Sequence, residues 1–473
     1  MDHHPAIPGP DGGGQGTWLH RWFWRLLLAA VLLRLLLGVG IFLWSQQANP
    51  RQPVEAMAQR LMAPDGLGYH IGAVKVDGYW SDPNPDKVLR HEHMVARFSV
   101  LVGALYHLTW PQPLVMTLLN CLCYLGVGLL ARDLGRRLGQ PPARAAGLAL
   151  LICLWPSSLA WSALPMKDSP SLFLIFALLS LTLYLARSAG QPWGRRLWAA
   201  AGFLVCAALM VYTRFYFGYV VLALSALPLL ARLWPWAAAG PRPAWSSLAL
   251  TLALGILAFA LTKPWHQEYF VYFERGEILP RSQFEAKSRK DEVYKEFARR
   301  AELDPGFVAP QPPPPPVPPQ GLTGLWEELN TYRQRFQRFA GRSLAPDADA
   351  SPLGGLARAL RDSLLFPYPW QRWPANERWT AFNLAVSAQG VLWYALLLGI
   401  LPGVAAQARR RPDIALPLAL WGLGLGLLLA FVVLNRGTLF RLRDMAMMPL
   451  VLFWGLGWPW RRRQSPPAAP DNP

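Results

Sequence analysis

The stretch WFWRLLLAAVLLRLLLGVGIFLW, residues 22–44, decides the class of fold. Apart from two arginines it is apolar, and a helix of about 20 such residues crosses the hydrocarbon core of a bilayer. The run is longer than the apolar core of a signal peptide, and no clear small-residue cleavage site follows it. The sequence therefore predicts an uncleaved first transmembrane helix, with residues 1–21 as a disordered cytoplasmic leader.

Similar apolar runs recur along the chain, of which 53% is hydrophobic and only 16% is charged. The further candidate spans are residues 114–131, 145–163, 172–186, 197–212, 217–233, 248–261, 382–401, 414–434 and 445–460. With the first run they predict an all-α polytopic membrane protein of about ten transmembrane helices.

Basic residues indicate how these helices are oriented. The net charge of +18 comes largely from arginines clustered in short loops between the apolar runs, which is typical of loops on the cytoplasmic side. This explains the charge without a nucleic-acid partner. Residues 95–108 form a short apolar run that contains Arg97, so we expect an interfacial helix on the outer surface. Counting that run as a crossing would place the later arginine clusters outside.

This topology divides the chain into modules. Residues 22–261 form an N-terminal transmembrane module, with a first outer loop at 45–94 and the interfacial helix at 95–108. Residues 262–381 form an extracytoplasmic insert with a proline spacer at 312–319. Residues 382–460 form a C-terminal transmembrane module, and residues 461–473 a cytoplasmic tail.

Two acidic positions on the predicted outer face are candidates for chemistry. Asp65 lies four residues before Tyr69, a spacing that puts both on one face of a helix. Asp65 can serve as a general base or a metal ligand, or it can simply cap a loop. Lys167 and Asp168 lie in a short turn, where Asp168 either caps the next helix or faces Asp65 across a cavity while Lys167 meets a phosphate.

Arginines on the predicted outer face suggest an anionic ligand. Residues 435–444 are predicted to form a short outer loop that contains Arg436, Arg441 and Arg443, against the charge rule that the other loops obey. Guanidinium groups bind phosphate bidentately, although ordinary anionic lipid would use the same groups. Arg214, a lone outer charge among aromatic residues, is expected to join the same pocket.

Together these motifs resemble polyprenyl-phosphate-dependent glycosyltransferases of the GT-C fold, of the protein mannosyltransferase and aminoarabinose transferase types. The resemblance covers about the first 230 residues. It is carried by Asp65-x-x-x-Tyr69, the apolar surface helix at 98–108, the basic loop ARDLGRRLG at 131–139 and the Lys167-Asp168 turn.

The resemblance implies a role for each site residue. Asp65 is expected to be the catalytic base, and Asp168 is expected to position metal or lipid phosphate. Mg²⁺ or Mn²⁺ would be the cofactor, with ligands that the sequence does not assign. The residues expected to bind substrate or lipid phosphate are Tyr69, Lys167, Arg214, Arg436, Arg441 and Arg443.

The expected activity is transfer of a sugar from a polyprenyl-phosphate donor to a glycan, lipid or protein acceptor. It would take place on the extracytoplasmic face of a bacterial inner membrane. The alternatives are a transporter or flippase, or a polymerase, of lipid-linked glycans.

Overall fold

The computed structural model describes residues 18–49, 64–82, 94–214, 217–233, 243–266, 270–274, 277–280, 381–432 and 436–457, with a few positions between 357 and 370. Its helices up to the predicted insert are α1 Trp18–Ala48, α2 Pro64–Ser81, α3 Arg97–Leu108, α4 Pro113–Arg137, α5 Pro142–Cys153, α6 Pro156–Ser162, α7 Asp168–Ala186, α8 Trp193–Thr213, α9 Phe217–Leu233 and α10 Trp245–Thr262. After it come α11 Ala381–Arg410, α12 Pro412–Val432 and α13 Arg436–Met447, which continues as the 3₁₀ helix Met448–Phe453. The strands are β1 Met94–Ala96, β2 Phe270–Glu274 and β3 Glu277–Pro280.

Seven helices in the described part of the chain are long and apolar enough to cross a membrane, namely α1, α4, α7, α8, α10, α11 and α12. α5 and α6 become an eighth if the pair is one span bent by 52°. Pro156 opens α6 after the break, and its ring and missing N–H prevent a continuous helix there. α9 is apolar but shorter. The protein is an all-α polytopic membrane protein, while the number ten stays a prediction.

The first outer region contains structure that apolar runs do not reveal. α2 carries both Asp65 and Tyr69, as their spacing predicted, and packs closely against α3. The close approach depends on Gly103, where an added Cβ would lie 2.7 Å from Val76. With 12 residues, α3 is about 18 Å long, too short to cross a bilayer, as expected of an interfacial helix.

A small antiparallel sheet ties this outer region to the residues that follow α10. Met94 of β1 pairs with Tyr272 of β2, and β2 pairs in turn with β3. Arg97, next to β1, is buried because its guanidinium donates to the carbonyl oxygens of Val211 and Trp265, each at 2.7 Å. The outer region is thereby attached to the helix bundle.

The predicted outer loop 435–444 is wrong: all its described residues, from Arg436 onward, belong to α13. α13 and the 3₁₀ helix together measure about 30 Å, the thickness of a bilayer core. Near the end of the 3₁₀ helix, Gln140 after α4 donates its amide to the carbonyls of Leu452 and Trp454, at 2.8 and 3.0 Å. The helical segment therefore begins before the apolar run 445–460 and takes charged residues into the bundle.

The end of the bundle that contains Gln140 is rich in arginine, and we call it the basic end. Arg411 donates to the carbonyl of Arg137 at 2.6 Å, and Arg187 pairs with the buried carboxylate of Asp413. We call the opposite end, where α7 begins and α8 ends, the site end.

Three predicted segments lie outside the described residues, namely the leader up to residue 17, the proline spacer and the tail.

Candidate functional site

The turn between α6 and α7 forms one wall of the site. Asn120 on α4 is fully buried and donates its side-chain amide to the carbonyls of Ser162 and Leu164, at 3.1 and 2.9 Å. These bonds hold the turn that presents Lys167 and Asp168. Both residues are almost completely buried, so each needs partners of opposite charge or polarity.

Asp168 is bound by arginine instead of capping its helix through a side-chain bond. Arg214, which follows α8, donates from Nη2 to Asp168 Oδ1 at 2.6 Å and from Nε to Ser171 Oγ at 2.9 Å. The Arg214 side chain is 3% exposed and that of Asp168 is 10% exposed. This is a buried, charge-assisted pair whose geometry fixes the carboxylate.

Arg441 brings the two predicted carboxylates together. It donates from Nη2 to Asp65 Oδ2 at 2.7 Å, and its Nε lies 3.4 Å from Asp168 Oδ2. Asp65 comes from α2, Asp168 from α7 and Arg441 from α13, so three distant segments meet at one point. The side chain of Asp65 is 42% exposed, against 13% for Arg441. Asp65 is thus the most accessible group of the three.

Tyr69 and Lys167 complete the cluster from the α2 side. The Lys167 ammonium nitrogen lies 5.0 Å from the centre of the Tyr69 ring, a cation–π distance, and the ring packs edge-on against Phe98. Gly66 lets α2 approach the Lys167 turn, since an added Cβ would lie 3.2 Å from Pro165. The contact leaves little space for a side chain at the position after Asp65.

The charges in this cluster affect each other's protonation. Burial raises the pKa of Asp65, but the charge and hydrogen bond of Arg441, with the charges of Lys167 and Arg214, leave it below its ordinary value of 3.8. Asp65 is therefore an ionised carboxylate at neutral pH. Burial, and then the Arg214 charge, bring the pKa of Lys167 well below 10.5.

The cluster carries an excess of positive charge when Lys167 is protonated. Lys167, Arg214 and Arg441 supply three positive charges when Lys167 is protonated, whereas Asp65 and Asp168 supply two negative ones. An anion bound here would balance the excess and would favour the protonated form of Lys167. We call these five residues, together with Tyr69, the ionic cluster.

Arg443 is placed differently from Arg441. Two residues along a helix turn by about 200°, so Arg443 lies on another face of α13, with its guanidinium carbon 5.1 Å from the centre of the Trp393 ring. It is 1% exposed, and its nitrogens make no hydrogen bond with the described part of the chain. The structure therefore does not place Arg443 on the face of α13 that carries Arg441. The side chain of Arg436, the third predicted arginine, lies outside the described residues.

Sequence reasoning missed the polar residues next to the ionic cluster. The carboxylate of Asp444 on α13 accepts a hydrogen bond from Ser157 of α6, and Gln389 of α11 donates to the same hydroxyl at 2.9 Å. The available signal was the spacing of Arg441 and Asp444, three residues apart, which places both on one face once the segment is a helix.

The structure offers no new support for a metal. Among the described residues, no group of three or more His, Cys, Asp and Glu side chains is placed to hold an ion. The sequence His91-Glu92-His93, which contains three residues of the types that bind metals, lies outside the described residues. The expectation of Mg²⁺ or Mn²⁺ stays a prediction.

The fold and the ionic cluster together define a polytopic helical membrane protein with a charged site at one end of its bundle. No family model, curated protein or solved structure matches the chain.

Proposed function

We propose that the protein is a membrane glycosyltransferase that moves a sugar from a polyprenyl-phosphate donor to an acceptor hydroxyl. The observation that supports this is the ionic cluster itself. An accessible, ionised carboxylate lies beside a buried set of basic groups that exceeds the carboxylates by one charge when Lys167 is protonated. A base for the acceptor and a binding site for the departing phosphate are the two groups this reaction needs.

Asp65 is the base in this mechanism. Its carboxylate takes the proton of the acceptor hydroxyl while the hydroxyl oxygen forms a bond to the anomeric carbon. The bond between that carbon and the phosphate oxygen breaks, and its electron pair leaves with the polyprenyl phosphate. Attack from the side opposite the leaving group inverts the anomeric configuration. The 42% exposure of the Asp65 side chain supports access by an acceptor.

Lys167, Arg214 and Arg441 stabilise the departing phosphate. Arg214 and Arg441 are oriented by Asp168, so little reorganisation is needed when negative charge develops on the leaving oxygen. Asp168 is a positioning residue here. The lipid tail would lie between helices at the site end.

The orientation follows from the charge rule. Arginines concentrate at the basic end, and such loops prefer the cytoplasm, so the ionic cluster would face the extracytoplasmic side. A bacterial inner membrane is the proposed location. The acceptor is a glycan, lipid or protein.

The test is sugar transfer by the purified protein from radiolabelled polyprenyl-phosphate monosaccharides. We expect wild type to transfer sugar, and we expect Asp65→Asn to lose at least 100-fold of the rate, since a general base contributes about 10²–10⁴-fold. Asp77→Asn is the matched control, because Asp77 lies on the same helix but contacts His107 at 3.1 Å. Unchanged transfer by a folded Asp65→Asn protein would refute the mechanism.

A second candidate is a transporter or flippase of lipid-linked glycans, favoured by charge inside the bundle. Arg34 lies within α1, is fully buried, donates to the carbonyl of Cys153 and lies over the Tyr124 ring. Charged residues within spans often mark a translocation path. Lipid binding with no transfer, together with movement of a labelled lipid-linked sugar across reconstituted vesicles, would favour this candidate. Transfer onto a second lipid-linked glycan would instead indicate a polymerase.

A further inference from the structure

A cavity lies directly beside the ionic cluster, deeper in the bundle. It is small, with free room for about one water-sized group. It is lined by Tyr124, Ser158, Trp161, Asp168, Leu172, Arg441, Asp444 and Met445. Asp168 and Arg441 therefore belong both to the ionic cluster and to this cavity.

Three charged residues around the cavity each form a hydrogen bond through one polar atom and keep another polar atom without a hydrogen bond. Arg441 binds Asp65 through Nη2, Asp168 binds Arg214 through Oδ1, and Asp444 binds Ser157 through Oδ2. The remaining atoms, Arg441 Nε, Asp168 Oδ2 and Asp444 Oδ1, are buried and make no hydrogen bond with the described part of the chain, although Arg441 Nε and Asp168 Oδ2 form an ion pair at 3.4 Å. Burying polar atoms in this way is costly unless a ligand satisfies them.

Trp161 supplies a fourth buried polar atom without a hydrogen bond. Its indole Nε1–H finds no acceptor among the residues that the structure describes. The residues that line the cavity thus offer two donors and two acceptors. An oxygen that bears hydrogen matches such a set, because it can donate to a carboxylate while it accepts from N–H groups. A phosphate oxygen would face two carboxylates, and a metal ion would face two N–H donors.

We infer that this cavity is a hydroxyl-binding subsite that recognises one hydroxyl group of the sugar on the donor. The inference rests on the proposed function for the identity of the ligand. A water molecule satisfies the same four atoms in the free protein, and the sugar hydroxyl replaces it. Because Asp168 and Arg441 are shared, a sugar with the correct hydroxyl is bound beside the cations that hold its phosphate.

The test measures equilibrium binding of short-chain polyprenyl phosphates carrying glucose, mannose, galactose or arabinose, and then the monodeoxy analogues of the tightest binder. For wild type, we expect one analogue to bind about two- to tenfold more weakly than the parent, the value of one hydrogen bond. Trp161→Phe removes only the N–H donor. This variant should weaken binding of the parent compound by a similar factor and leave binding of that one analogue unchanged.

Trp421→Phe is the matched control, since Trp421 is a buried indole that does not line the cavity. It should leave the ranking of the analogues unchanged. If Trp161→Phe does not fold, Asp444→Asn replaces it, with the same expectation. Equal effects of the Trp161 and Trp421 variants on every analogue would mean that the cavity holds water only, and would overturn the inference.

Transfer activity separates this inference from the proposed function. One outcome is that wild type transfers no sugar and Trp161→Phe loses the preference for the hydroxyl in the binding assay. This outcome would support the subsite and refute the glycosyltransferase. Transfer by wild type with no preference among the monodeoxy analogues would support the enzyme and refute the subsite.

Discussion

Replacing Arg441 by methionine should destabilise the protein, because Arg441 joins two carboxylates from distant helices. Methionine keeps most of the side-chain length but removes the charge and the donors. Asp65 would lose its bond of 2.7 Å, and Asp168 would lose a cation at 3.4 Å. Both carboxylates would stay in place with fewer partners.

The size of the effect follows from the exposure of each pair. The Asp65 side chain is 42% exposed, so solvent screens its bond, which contributes at most about 1 kcal/mol. Asp168 is 10% exposed, and removing one partner from a buried pair costs about 3–5 kcal/mol. Arg214 still binds Asp168 at 2.6 Å, which reduces that loss to about 2 kcal/mol. We expect Arg441→Met to lower the free energy of unfolding by about 3 kcal/mol.

The assay is reversible unfolding of the purified protein in mixed detergent micelles, followed by tryptophan fluorescence. Arg443→Met is the matched control, because it makes the same chemical change two residues further along α13. Arg443 is buried without a hydrogen-bond partner in the described part of the chain, so its removal also relieves a desolvation cost. We expect it to lower the stability by less than half as much. An equal or larger loss for Arg443→Met would refute the reasoning.

Three further predictions concern the site and its support. Binding of polyprenyl phosphate should weaken as pH rises through the lowered pKa of Lys167, at a pH well below 10.5, and Lys167→Arg should remove that dependence, as dissociation constants measured against pH would show. Asn120→Leu should cost about 1–3 kcal/mol of unfolding free energy and lower phosphate affinity, because it frees two buried carbonyls in the turn; unchanged affinity would contradict this. Gly103→Ala should cost about 1–3 kcal/mol through overpacking against α2, whereas Gly68→Ala, with no atom within 4 Å of the added Cβ, should cost less than 1 kcal/mol in the same unfolding assay.

The helical structure of α13 resolves an exception to the charge rule. In the sequence, three arginines stand in an apparent outer loop and oppose the distribution of charge elsewhere. In the structure, Arg441 and Arg443 lie on α13, inside the bundle. Neither is a loop charge, so the rule does not apply to them. Charged residues in such a position are expensive to bury, and Arg441 is retained beside two carboxylates.

The sequence by itself determined the class of protein. Runs of apolar residues as long as a bilayer is thick predict membrane helices, because the length of a helix and the thickness of the hydrocarbon core are both fixed quantities. The spacing of Asp65 and Tyr69 likewise predicted the face they share on α2. The candidates Lys167, Arg214 and Arg441 followed from charges that are costly to place where they occur.

Only the tertiary structure decided which of those candidates meet. Asp65 and Arg441 are 376 residues apart, and no local pattern indicates that they form a pair. Whether Arg441 or Arg443 faces the carboxylates depends on the rotation of α13, which the hydrogen bond from Ser157 to Asp444 helps to set. The apolar run 445–460 likewise leaves out the charged part of α13, because hydropathy counts each charge as a cost. Burial of a charge becomes favourable only with partners from other helices, and those partners exist only after the chain has folded.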